Sequence, residues 1–223
     1  MFKIAIFIAA AFIATAGSAS ATTMLVDGTS TYAVNNGTDI STPIALPAKQ
    51  SAGLIIDFTF SFTGTLQNND YFGLWFGSST GPSFGLKANC GGDVAGCTDD
   101  LYLRMSGTSG PFVQGSNLTA GTSYHLMGYL HKTGNSTTYN ALDFWLNPTQ
   151  QEMISLTGAD AKTTGNIALS SLTTVGFRTV NIDSGVVLKA SDINVRAVPE
   201  PGSLALMGLA AAGLGFVRRR KQA

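Results

Sequence analysis

Few residues in the middle of this chain have the types and spacing that chemistry demands. Between Thr22 and Ala197 there is one glutamate, Glu152, and there are two histidines, His125 and His131. Glycoside hydrolysis needs two carboxyl groups about 5 to 9 Å apart, one acting as acid and the other as nucleophile or base. Asp99 and Asp100 are adjacent, so on a strand they would face opposite sides. On a loop the same pair could help to hold a structural Ca²⁺, a hard cation that takes about six to eight oxygens. His125 and His131 share one strand parity but lie about 20 Å apart at ~3.3 Å per residue, too far to share a metal. No His and Cys set suits nucleophilic catalysis. The residues describe a non-enzyme with no cofactor beyond that one candidate Ca²⁺ position.

Positioning falls to strands. In "GLIIDFTFSF", Leu54, Ile56, Phe58, Phe60 and Phe62 alternate with Ile55, Asp57, Thr59 and Ser61, the period of two that marks a strand with one buried face. The pattern recurs in "YFGLWFG", "SFGLK", "LYLRM", "SYHLMGYLH", "TYNALDFWLN", "TTVGFRTV" and "VVLKASDINVRAV". Turn clusters such as "GSSTGP", "SGTSGP" and "KTGNS" separate them. Short strands so punctuated predict an all-β, two-sheet antiparallel sandwich.

Parity within these strands sets one group of residues apart. Tyr71 and Trp75, Tyr129, and Asp143 with Trp145 all fall opposite to the core parity of their strands, as does Tyr139. Flat rings stack on the C–H faces of sugars while neighbouring polar groups bind hydroxyls. Tyr71, Trp75, Tyr129, Asp143 and Trp145 therefore form a candidate carbohydrate-binding face, for which an extracellular polysaccharide is the natural partner. The competing expectation is that loops or a flanking strand cover these rings.

The two ends carry a different kind of information. Lys3, an apolar run from Ile4 to about Ala16, and Ala19-Ser20-Ala21 have the order of a secretory signal peptide with its small-residue cleavage site, so residues 1–21 are expected to be removed by signal peptidase. At the other end Ser203 to Val217 is uncharged and apolar over 15 residues. As a helix it would be about 22 Å long at ~1.5 Å per residue, short of the ~30 Å bilayer core. Arg218, Arg219, Arg220 and Lys221 follow at once and would stay on the cytoplasmic side. Just outside the bilayer stand Val198, Pro199, Glu200 and Pro201, where the prolines keep the backbone extended. The chain thus divides into 1–21, a domain at 22–197 and a terminal segment at 198–223.

That order of parts, Pro199-Glu200-Pro201, a short hydrophobic helix, then Arg218 to Lys221, resembles the PEP-CTERM sorting signal of Gram-negative bacteria. The resemblance implies recognition by an exosortase, a membrane cysteine protease-transpeptidase, with processing near the motif. Export across the inner membrane, transient anchoring by the C-terminal helix and delivery to the cell surface or medium would follow. A looser resemblance joins Leu118 to Thr149, "TTVGFRTVNIDSG" and "ASDINV" to concanavalin A-like or laminin-G-like jelly rolls. It implies a jelly-roll sandwich, a fold that hosts lectins, glycosidases and adhesive modules alike. The glucanases among them usually carry a Glu-x-Asp-x-x-Glu run, which this chain lacks.

Charge narrows the partners. The whole chain has 13 basic and 13 acidic residues, but Lys3 and Arg218 to Lys221 account for five bases and Glu200 for one acid. Residues 22–197 are left with 8 bases against 12 acids, a formal charge of −4. No stripe of bases runs along the sequence, so nothing in it attracts nucleic acid. Cys90 and Cys97, in "CGGDVAGC", form a close even pair in an exported chain and read as a disulfide that staples one Gly-rich loop. By the loop-entropy relation it contributes about 2.5 kcal/mol. Alkylation of the exported protein before reduction should find no free thiol at Cys90 or Cys97; two labelled cysteines in folded protein would contradict the pairing.

Overall fold

The structure is a computed structural model that describes residues 23–26, 32–34, 40–89, 99–107 and 110–198. The strands are β1 (Thr23–Val26), β2 (Tyr32–Val34), β3 (Ile40–Gln50), β4 (Gly53–Thr63), β5 (Tyr71–Phe76), β6 (Ser83–Lys87), β7 (Leu101–Arg104), β8 (Ser123–His131), β9 (Ala141–Leu146), β10 (Ala161–Thr164), β11 (Leu172–Val180) and β12 (Val187–Val198), with one short helix, α1 (Gln150–Ser155). One sheet has seven strands, ordered β1-β12-β4-β8-β9-β10 with β2 also paired to β12. The other has five, ordered β3-β11-β5-β6-β7, and the pairings are antiparallel throughout. This is the all-β, two-sheet antiparallel sandwich that the alternation predicts. The expected signal peptide and C-terminal helix lie outside the described residues, as do Cys90 and Cys97.

The alternating runs place their apolar parity in the space between the sheets. Leu54, Ile56, Phe58 and Phe60 on β4 are fully buried, and Phe72, Leu74 and Phe76 on β5 face them. Phe58 meets Phe177 of β11 edge-on at 5.1 Å, while Phe72 stacks on Phe177 at 5.3 Å and on Phe60 at 5.2 Å. Aromatic contacts across the sandwich add about 0.5–1.5 kcal/mol each to what burial itself contributes. Gly128 on β8 completes this packing from the seven-stranded sheet. A Cβ there would lie 2.3 Å from the Phe84 ring, so the glycine admits that ring between the sheets.

Three elements depart from the pattern. β3 contains Pro43 and Pro47 and shows no clean alternation. It survives as a strand because it is the edge of the five-stranded sheet, bonded only to β11, where a missing N–H faces away from the ladder. α1 interrupts an otherwise β chain through a capping box: Thr149 Oγ1 accepts from the Glu152 N–H, and the Glu152 carboxylate accepts from the Thr149 N–H at 2.8 Å. Tyr139, expected to point outward, is fully buried. It precedes β9, so the strand's parity does not reach it, and its hydroxyl donates to Ala52 O at 2.7 Å.

Gly128→Ala is expected to lower stability by about 1–3 kcal/mol, the usual cost of overpacking. Adding Phe84→Leu should recover part of that loss in urea denaturation. Equal midpoints for Gly128→Ala and the parent would show that Phe84 does not depend on that space.

Candidate functional site

The outer surfaces of the two sheets receive the residues of opposite parity, and they are finished differently. On the seven-stranded sheet Trp145 points outward as its parity requires, yet it is fully buried. It forms a second apolar cluster with Ile55, Met127 and Val198, against which Tyr129, Met153, Leu156 and Ala159 pack. The connection from α1 into β10 lies across it, and the indole Nε1 donates to Thr157 O at 3.0 Å. Leu156 ends the helix in a left-handed conformation, φ 55°, and Asp160 accepts from the Leu146 N–H at 2.7 Å, pinning this cover. Trp145 has no ring face to offer a sugar.

Asp143 and Tyr129 sit opposite one another across β8 and β9. Asp143 is engaged by Lys162 Nζ at 3.2 Å and lies 3.6 Å from His131 Nε2, a distance at which attraction is electrostatic and no hydrogen bond forms. Tyr129 is half-buried and stacks on the His131 ring at 4.4 Å. A second carboxylate, Asp57, lies on the same face and is 5 % exposed. It accepts from Arg196 at 2.7 Å and Asn194 at 3.1 Å, with His125 Nε2 at 3.2 Å. Burial alone would raise both carboxyls. For Asp57 the His125 bond, the Arg196 charge and the Asn194 bond outweigh it and hold the group below the usual carboxylate range. For Asp143 His131 and Lys162 do the same. The two histidines thus serve separate carboxylates.

The five-stranded sheet has a different outer face. Tyr71 and Trp75 of β5, Tyr102 of β7 and Gly73, Gly85 and Gly176 share it by register. The rings lie down over the glycines: a Cβ on Gly176 would meet Trp75 at 2.4 Å, and one on Gly73 would meet the Tyr71 hydroxyl at 2.3 Å. Trp75 is therefore only 4 % exposed and Tyr71 only 7 %. The expectation of projecting aromatic rings is corrected here: parity put them outside, and flat packing on glycine took them out of water.

Cations occupy the same face. Arg104 is 8 % exposed, with its guanidinium 5.6 Å from the Tyr71 ring and 5.7 Å from Tyr102. Its Nε donates to Ser83 Oγ at 2.9 Å and Nη2 reaches the Tyr71 hydroxyl at 3.5 Å. Burial pushes the Tyr102 phenol well up, so it stays a neutral neighbour. Lys87, Arg104 and Arg178 line a groove of about 260 Å³ with Asn69, Tyr71, Val180 and Asn181. The sequence signal for this site is that Lys87, Arg104 and Arg178 all have outward parity. Their convergence needs the strand order β11-β5-β6-β7, which no local pattern encodes.

The other sequence-predicted positions resolve as follows. Asp99 Oδ1 accepts from the Gly115 N–H at 2.6 Å, and Asp100 accepts from the Leu118 N–H at 3.1 Å and Asn89 N–H at 3.4 Å, so both carboxylates tie loops together. Among the described residues no group of three His, Cys, Asp or Glu side chains is arranged to hold a metal. Gly77-Ser78-Ser79-Thr80-Gly81, which is not among the predicted positions, fits the spacing of a nucleophile elbow, but it is the turn joining β5 to β6. That motif requires a strand-to-helix turn, so the chemistry does not follow. Of the terminal segment, Val198 is described. It closes β12 opposite Gly53 and is 5 % exposed.

Residues 197–221 match the model of the PEP-CTERM protein-sorting motif. No curated protein matches the chain. Among solved structures it is similar to the Emp46p carbohydrate recognition domain in its metal-free form, at 15% identity over 78% of this chain and 87% of that one, TM-score 0.44. It is also similar to the carbohydrate binding module CBM66 from Bacillus subtilis, at 11% identity over 74% and 94%, TM-score 0.42. A third similarity is to the botulinum neurotoxin type G receptor binding domain, at 12% identity over 79% of this chain and 41% of that one, TM-score 0.47.

Asp57→Ala leaves Arg196 without its carboxylate and is expected to cost about 3 kcal/mol at neutral pH, the low end for breaking a buried pair. Because the folded carboxyl titrates below the unfolded one, its stabilisation is complete above the unfolded value and lost as pH falls through the folded one. The gap in thermal stability between parent and variant should therefore shrink below about pH 4. A gap unchanged down to about pH 2 would contradict the pairing.

Proposed function

We propose that this protein is an exported surface or extracellular-matrix protein of a Gram-negative bacterium, sorted and processed by an exosortase, whose sandwich is a non-catalytic module. The observation that carries the reading is the PEP-CTERM protein-sorting motif at residues 197–221. Signal peptidase removes residues 1–21, and Ser203 to Val217 holds the chain in the membrane until Val198-Pro199-Glu200-Pro201 is read.

Geometry supports a close coupling of fold and signal. β12 ends at Val198, and only residues 199–202 separate it from the apolar stretch. Five Cα steps reach at most about 18 Å at ~3.6 Å per residue, so the sandwich stands against the membrane surface while the motif is processed. The non-catalytic reading rests on how the charged side chains are used. Asp57 and Asp143 are occupied by cations, Asp99 and Asp100 by backbone N–H groups, and Glu152 caps a helix. A lectin-like role is the second reading, favoured by the groove around Arg104, and a glycoside hydrolase ranks behind it.

Intact mass of the protein from surface and medium fractions tests the sorting step. The parent should lack residues 1–21 and be altered near Pro199, whereas Glu200→Ala should accumulate in the membrane with its tail in place. Normal processing of Glu200→Ala would refute recognition by an exosortase.

A further inference from the structure

We infer that the groove on the outer face of the five-stranded sheet binds a carboxylate-bearing sugar of an acidic polysaccharide, with Arg104 as the buried anion contact and Lys87 and Arg178 at its sides. The assignment rests on the lectin-like reading above and supplies its ligand class.

The charge distribution points there first. Residues 22–197 have 8 basic side chains on a domain of net charge −4, yet Lys87, Arg104 and Arg178, three of the eight, line one groove. None of the residues that line the groove is acidic. Among the described residues no carboxylate lies within ion-pairing distance of Arg104 or Lys87. The ion pairs of Asp57 with Arg196 and His125, and of Asp143 with Lys162 and His131, belong to the other sheet. A buried guanidinium without a counter-charge is costly unless something anionic meets it. Ser83, the Tyr71 hydroxyl and two ring faces hold Arg104 in place but leave its charge uncompensated.

The shape and the remaining donors select the rest of the ligand. The groove, at about 260 Å³, is smaller than the roughly 300–1,000 Å³ of pockets that enclose a whole small molecule. It suits one charged ring of a longer chain lying across an open sheet. A planar guanidinium grips a carboxylate through two parallel N–H bonds. The amides of Asn69 and Asn181 and the Tyr71 hydroxyl offer both donors and acceptors, the complement of sugar hydroxyls.

Titration of the purified full chain in detergent, and of the form released by cells, with polygalacturonate oligomers tests this, with dextran as the neutral comparison. The oligomers should bind, weaken with added salt, and dextran should not. Lys87→Gln and Arg178→Gln, each checked for an unchanged circular dichroism spectrum, should weaken binding about tenfold, the worth of one charge-assisted hydrogen bond. Lys162→Gln removes a cation from the opposite sheet and should change affinity by less than about twofold. Arg104→Lys keeps the charge and loses the paired geometry, and should also weaken binding. Absence of binding by the folded parent, equal affinity of parent, Lys87→Gln and Arg178→Gln, or an equal loss in Lys162→Gln would overturn the site. Inorganic sulfate or phosphate competing as well as the oligomer, mole for mole, would overturn the sugar. None of these outcomes alters the intact-mass test, so failure of the site and failure of the sorting reading are read separately.

Discussion

Phe58 and Phe177 touch edge to face at 5.1 Å, and the rest of the architecture depends on that junction between the sheets. Each ring belongs to a strand whose alternate side chains must then point away from the core. Once Phe58, Phe60, Phe72 and Phe177 occupy the interior, Asp57, Trp75, Trp145 and Arg178 have no choice but the outer faces. Gly128 enforces the same junction from the other direction by making room for Phe84. A one-residue slip of β4 would exchange Phe58 for Asp57 in the core. The aromatic packing therefore fixes register as well as stability.

The two outer faces solve the resulting problem in opposite ways. On the seven-stranded sheet the burden is mixed apolar and charged, and it is relieved locally: the α1 connection covers Trp145, while Asp57 and Asp143 each collect cations from neighbouring strands. On the five-stranded sheet the rings lie flat on glycines, and Arg104 packs against two of them with no carboxylate of the described residues within ion-pairing distance. Trp75 Nε1 has no hydrogen-bond partner on that face either. Buried nitrogens without a hydrogen-bond partner also occur on the first face, at His131 Nε2 and Arg196 Nε, so what sets the second face apart is a groove lined by cations and by no acidic residue. A structural module needs only the first kind of surface, so the second is where function is to be sought.

Much of this is legible in the sequence because a period of two is a strong and local signal. The alternating runs, the inner parity of β4, β5 and β8, and the wide separation of His125 from His131 can be read residue by residue. Exposure cannot. Whether Trp75 is bare depends on Gly176, about a hundred positions away, and Trp145 depends on a loop whose path no propensity specifies. Tyr139 shows that parity fails one or two residues before a strand begins. α1 was readable in principle from Thr149-x-x-Glu152 but is shorter than helical periodicity can reveal. The convergence of Lys87, Arg104 and Arg178 is non-local in the same sense: each residue announces its side, and only the strand order announces its neighbours.

The junction between fold and sorting motif is equally a matter of backbone chemistry. The motif match begins at Ala197, yet Ala197 and Val198 still belong to the sandwich, paired with Leu54 and Gly53 of β4. Val198 is also packed against Ile55, Met127 and Trp145. Pro199 has no N–H with which to donate to that ladder. A cut on the C-terminal side of Val198 therefore leaves every β12 pairing and the Trp145 cluster intact, and a cut before it would strip the sheet of its closing residue. A cut after Val198 is compatible with survival of the folded module because the described β12 pairings and the Trp145 cluster lie on its N-terminal side.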